Sequence, residues 1–159
     1  MCGSYVRSLM QKRKSTRSFS FEELSTSLLN EVDIILQLGQ KAGNKKSVRG
    51  RLVLSSSERE TCFIASGFQE VIRKAPYLIL IGNDDAVLSE SYEGKHIESL
   101  GCQNASIAAQ NLLLYLTEKS IGTCWVGGFE NTYLQKKLNL DFRVWVMLCF
   151  GIENMEVGI

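Results

Sequence analysis

Three short stretches of this sequence carry side chains or backbone suited to holding a ligand. The first is Lys12 to Ser20, KRKSTRSFS, where Arg13, Lys14, Ser15 and Arg17 set three cations and a hydroxyl within five positions. Guanidinium forks, an ammonium and a serine O–H all donate to phosphate oxygens, so the pattern suits an anion. A solvated basic loop has the same composition and stays open as the alternative. The second is Trp125-Val126-Gly127-Gly128, a glycine pair directly after an apolar run. Glycines clear side chains from the main chain, so a flat ligand could lie against it and meet an unobstructed N–H. An ordinary bend after a strand would read the same way. The third is Ala42-Gly43-Asn44 with Lys45 and Lys46 behind it, either a donor-bearing turn or, with Arg49 and Arg51, a basic hairpin loop.

Other chemistries are poorly supplied. His96 is the only histidine, so neither a zinc set nor a histidine-activated nucleophile is expected. The five cysteines are odd in number, widely spaced and without a CxxC pair, which suits reduced core residues and no metal site. A net charge of +1 offers no field to draw nucleic acid or an anionic membrane. The 159 residues are 45% hydrophobic, enough for one domain, 1–159. Such a chain buries roughly 70% of its unfolded surface. No apolar run reaches membrane-spanning length and no leader pattern opens the chain, so a cytoplasmic protein is expected.

The elements that must position these stretches follow from periodicity. Ser4 to Gln11 suits a short opening helix. Ser25 can cap an amphipathic helix that runs to Ala42-Gly43-Asn44, with Ser20 and Glu23 as a competing capping box. Arg51 to Ser55 is a strand candidate, and Glu58 to Lys74 one helix. Tyr77 to Gly82, YLILIG, is a continuous apolar run of strand length, as found inside a sheet. Asn83 to Gly94 is a polar loop with at most a helical turn. Leu100 to Leu116 is apolar nearly all round and so a buried central helix. Its small residues would let another backbone approach, and the amides of Gln103, Asn104, Gln110 and Asn111 would need partners if buried. Thr123 to Val126, Thr132 to Leu138 and Arg143 to Ile152 complete the pattern as strand, helix and strand. Together these give an α/β or α+β sandwich, a mixed sheet with helices on both faces.

The run QNASIAAQNLLLYLTEKSIGTCWVGGFE resembles the core helix and following strand of the FMN-dependent nitroreductase family, whose members carry A-x-Q-N-L-L-L and then G-x-G-T-x-W-x-G-x-F. Arg13-Lys14-Ser15-Thr16-Arg17-Ser18-Phe19 resembles the family's R-R-S-x-R-x-F. Ala42-Gly43-Asn44 resembles its P-S-x-G-N-x-Q-P-W loop, with Lys46 in place of the glutamine and Ser47-Val48 in place of Pro-Trp. Ala65 to Gln69, ASGFQ, is more weakly similar to the compact branch that includes azoline dehydrogenases. The resemblance implies the nitroreductase fold as a homodimer with FMN at its interface, accepting hydride from NADH or NADPH and reducing a small nitroaromatic, quinone or enone. It implies that Arg13, Lys14, Ser15 and Arg17 hold the flavin's phosphate and pyrimidine edge, and that Asn44 and Lys46 contact it, often from the other subunit. Trp125 and Val126 would lie along the ring, with the N–H of Gly127 or Gly128 facing flavin N5. The flavin does the chemistry, so no side chain is catalytic. Where relatives carry basic residues after the last strand this chain reads ENMEVGI, so either the first loop and the lysines near residue 45 bind the phosphate, or FMN binding is weakened or lost. Two other readings stay open, a flavin-binding storage or sensor protein without turnover and a flavin-free dimeric scaffold.

Overall fold

A computed structural model describes residues 4–154. The elements are α1 (Ser4–Lys12), α2 (Thr26–Gln37), a 3-10 turn (Ala42–Asn44), β1 (Val48–Leu52), α3 (Ser56–Ala65) and α4 (Val71–Lys74). Then come β2 (Tyr77–Asn83), α5 (Asp85–Ser89), α6 (Lys95–Glu118), β3 (Gly122–Val126), α7 (Asn131–Leu138) and β4 (Arg143–Gly151). The four strands form one sheet in the order β1-β2-β4-β3, and it is buried on both faces.

Alternation along the strands makes two cores from one apolar run. Leu78 and Leu80 face Cys62, Phe63, Ile72 and Leu134 on the side of α3, α4 and α7. Ile79 and Ile81 face Leu36, Ala105, Ala108 and Leu112 on the side of α2 and α6. This is why YLILIG shows no polar alternation: each successive residue is buried in a different layer. In α6, Ala105, Ala108 and Ala109 are completely buried, as the small residues suggest, but Gln103, Ile107 and Gln110 form an exposed stripe. Ile34 and Leu38 are exposed on the adjoining α2.

Several boundaries differ from the pattern-based expectation. The expected mixed sheet is antiparallel at every strand pairing. β2 and β3 do run in the same direction, but the last strand, β4, inserts between them; the parallel contact found is the isolated Ser15–Thr123 bridge beside β3. Ser25 caps α2, accepting from the Leu28 N–H at 3.2 Å, yet the helix ends at Gln37, ahead of Gly39, and Ala42-Gly43-Asn44 is a separate turn. The expected strand at 51–55 lies at 48–52. Its arginines are salt-bridged, Arg49 to Asp84 and Arg51 to Glu58, and these partners, distant in the chain or beyond the turn, are invisible to local pattern. The expected single helix 58–74 is two. α3 stops at a Schellman turn in which Gly67 has φ +68°, its N–H bonds the Ile64 carbonyl and the Phe68 N–H bonds the Phe63 carbonyl. Phe68 closes the motif by packing edge-on against Phe63, ring centroids 5.4 Å apart.

Candidate functional site

The basic loop is laid along the open edge of β3. The Arg13 N–H returns to Leu9 at the end of α1, the Thr16 N–H donates to the Thr123 carbonyl at 2.8 Å, and the Ser20 N–H donates to Ile152 at 2.9 Å. Tied to β3 at Thr123 and to the chain after β4 at Ile152, the loop covers part of an edge that would otherwise expose its ladder. Gly122 admits the loop, since a Cβ there would stand 2.8 Å from the Thr16 side chain.

A cleft of about 530 Å³ opens beside this strap, lined by Lys12, Arg13, Lys14, Thr16, Thr123 and Glu153 among others. Lys14 pairs with Glu153 at 2.7 Å, whereas Arg13 and Arg17 have no carboxylate partner among the described residues. Burial pushes the Cys124 thiol up, against the opposing pull of the Arg17 and then the Arg13 charge. Burial likewise pushes Cys62 and Cys149 up to about 12, so these thiols are inert core residues. Cys2 lies outside the described residues.

The glycine pair continues from the same strand. Trp125 is 37% exposed, while Val126, expected to lie along a ring, is 2% exposed and packs into the core instead, because alternation along β3 turns it inward. A Cβ at Gly128 would meet nothing within 4 Å, and one at Gly127 would stand 3.1 Å from the Trp125 indole nitrogen. The main chain here is bare, as the sequence pattern suggests. Two bonds fix the exit of the pair: the Gln69 side-chain amide donates to the Gly128 carbonyl at 3.3 Å and the Glu130 N–H donates to Ala65 at 2.9 Å.

Arg13, Lys14, Ser15, Arg17, Trp125, Val126, Gly127 and Gly128 thus share one edge. Asn44 and Lys46 do not; they are exposed beside β1, at the other end of the strand order. Three inter-strand steps separate the edges, roughly 14 Å. Lys46 lines a second cleft of about 470 Å³ with Gln37, Lys41 and Arg49. Sequence reasoning gave no role to Thr16 or Glu153, whose places depend on pairings far along the chain, nor to Gln69, whose segment it quoted without a contact. Among the described residues no cluster of three or more His, Cys, Asp and Glu is disposed to hold a metal, and no helix is long and apolar enough to cross a membrane.

A profile of the Nitroreductase family matches residues 35–152. The chain belongs to the nitroreductase family. Among its curated relatives is MhqN of Bacillus subtilis (strain 168), named as an NAD(P)H nitroreductase, 25% identical across 93% of this chain and 88% of its own. Solved structures share the fold. A nitroreductase, ydfN, from Bacillus subtilis superposes with a TM-score of 0.86 at 18% identity, covering 99% of this chain and 92% of that one. An NADPH:FMN oxidoreductase from Vibrio harveyi, complexed with NAD+, superposes with a TM-score of 0.85 at 16% identity, covering 97% and 71%. Membership of the nitroreductase family makes this chain an oxidoreductase.

Proposed function

We propose that the protein is an FMN-dependent NAD(P)H oxidoreductase that works as a cytoplasmic homodimer on a small organic acceptor. The observation that carries this reading is the shared edge, where a bare glycine backbone follows a strand flanked by two arginines without carboxylate partners among the described residues. The residues present fit FMN. Arg13, Arg17, Lys14 and the Ser15 hydroxyl supply donors to a phosphate and a pyrimidine edge. Glu153 opposes an anion, but its charge is matched by Lys14. The Gly127 or Gly128 N–H would be a preorganised donor to the reduced ring system, with Trp125 covering its border. Bound FMN would supply the hydride chemistry, from NADH or NADPH to a nitroaromatic, quinone or enone, while the chain binds, orients and excludes water.

Asn44 and Lys46, at the opposite edge, would complete the site from a second copy. The exposed apolar face of Ile34, Leu38 and Ile107 on α2 and α6 supports such a pairing. FMN titration tests the arrangement. Arg13→Ala and Asn44→Ala homodimers should each bind FMN at least about tenfold more weakly, the worth of a charge-assisted hydrogen bond. Co-expressed and isolated as the mixed dimer, the two variants should regain one site of wild-type affinity per dimer. Wild-type affinity in Arg13→Ala, or a mixed dimer without recovery, would contradict the proposal.

A further inference from the structure

α6 buries two polar side chains: Thr117, whose hydroxyl donates to the Leu113 carbonyl within the helix, and Asn104, which reaches outside it. Asn104, 3% exposed, sits beside the fully buried Ala105 and Ala108. Its Oδ1 accepts the Ala42 N–H at 3.0 Å, and its Nδ2 donates to the Ser47 Oγ at 3.2 Å. A single amide therefore grips both ends of segment 42–47, whose middle bears the exposed Asn44 and Lys46. Between the grips the backbone is left-handed twice in succession, Gly43 at φ +57° and Asn44 at φ +54°. Only glycine and asparagine adopt that region readily, and it persists where surrounding bonds hold it. Here those bonds are plain: Lys45 N–H to Ala42 at 3.1 Å, Ser47 N–H to Lys45 at 2.9 Å, and Asp84 N–H to the Ser47 carbonyl at 2.8 Å. Gly43 is also pressed against Tyr92, whose hydroxyl would stand 2.9 Å from a Cβ.

We infer that Asn104 is a positioning residue, clamping segment 42–47 from inside the protomer so that Asn44 and Lys46 reach the flavin site at the interface in one fixed conformation. This rests on the functional reading above. An apolar residue at 104 would leave the part-buried Ala42 N–H without this partner and the Ser47 hydroxyl buried without it, which favours opening of the loop to water. Asn104 itself would never touch the ligand.

The test uses full-length Asn104→Ala, with the milder Ser47→Ala, which removes one grip, as the variant that keeps the test open if the first folds poorly. Ile72→Ala, in the other core, serves as a control of comparable thermal destabilisation. The expected result has two parts. In flavin-free protein the Gly43 and Asn44 amides should gain fast motion by 15N relaxation in both loop variants and not in the control. FMN Kd should rise about tenfold in Asn104→Ala and less in Ser47→Ala, with Ile72→Ala near wild type. Rigid loop amides in both variants, or a loosened loop with unchanged FMN affinity, would overturn the inference and leave the functional reading standing. A wild-type protein that takes up no FMN would overturn both.

Discussion

Glu58 shows how much a single side chain can settle locally. It is the third residue of α3, and its carboxylate accepts the N–H groups of Ser55 and Leu54, both at 3.3 Å, while Ser55 caps the helix in return. Arg51 of β1 pairs with the same carboxylate and joins strand to helix. Burial alone would raise its pKa, but the two backbone donors and Arg51 outweigh burial and hold it below the ordinary 4.5. A carboxylate depressed in the folded state stabilises fully above its unfolded value and loses that contribution as pH falls through the folded one. Glu58→Gln should therefore cost about 1–2 kcal/mol at neutral pH, by loss of charge-assisted bonds. In urea melts the gap from wild type should close in acid; a gap that persists or widens would refute the assignment. The capping box follows the S-x-x-E spacing of Ser55 and Glu58, which the expected strand at 51–55 obscured, and the tie to Arg51 depends on where β1 falls in the sheet.

At the scale of elements, glycines separate fold from site. Gly82 lies at the bulge where β2 and β4 slip register, and a Cβ there would stand 2.0 Å from the Arg143 carbonyl oxygen. At Gly128 it would meet nothing. Gly82→Ala should cost about 3 kcal/mol or more, because backbone cannot yield as a flexible side chain can. Gly128→Ala should leave stability within about 0.5 kcal/mol while weakening FMN binding. Denaturant melts with FMN titrations check both, and similar stability losses would contradict the division. The strand YLILIG was legible because burial on both faces leaves a mark in composition, and the long α6 because of its apolar run, although that run hid the exposed stripe of Gln103, Ile107 and Gln110. The break between α3 and α4 was not, since ERETCFIASGFQEVIRK keeps helical spacing across a glycine and only the Schellman bonds reveal the stop. β1 was displaced for another reason: arginines at 49 and 51 look like loop residues until Asp84 and Glu58 are placed opposite them.

For the whole molecule, the strand order decides how the candidate site is divided. The loop at 13–17 and the glycine pair lie on the β3 edge and Asn44 on the β1 edge, so under the proposed function one copy would carry two incomplete halves. The types of residue were readable in sequence, as was the chain's resemblance to the nitroreductase family, now supported by a profile match over 35–152 that does not reach the loop at 13–17. Their separation was implied only by that resemblance and by no local pattern, because it arises from β4 inserting between β2 and β3, a long-range pairing. The most direct measurement is the visible absorption spectrum of the purified protein loaded with FMN, before and after anaerobic addition of NADH and then NADPH. The account predicts a flavin band that bleaches with one nucleotide or both and returns when a nitroaromatic, quinone or enone is added. A band that persists with both nucleotides, or a protein that remains colourless in excess FMN, would contradict it.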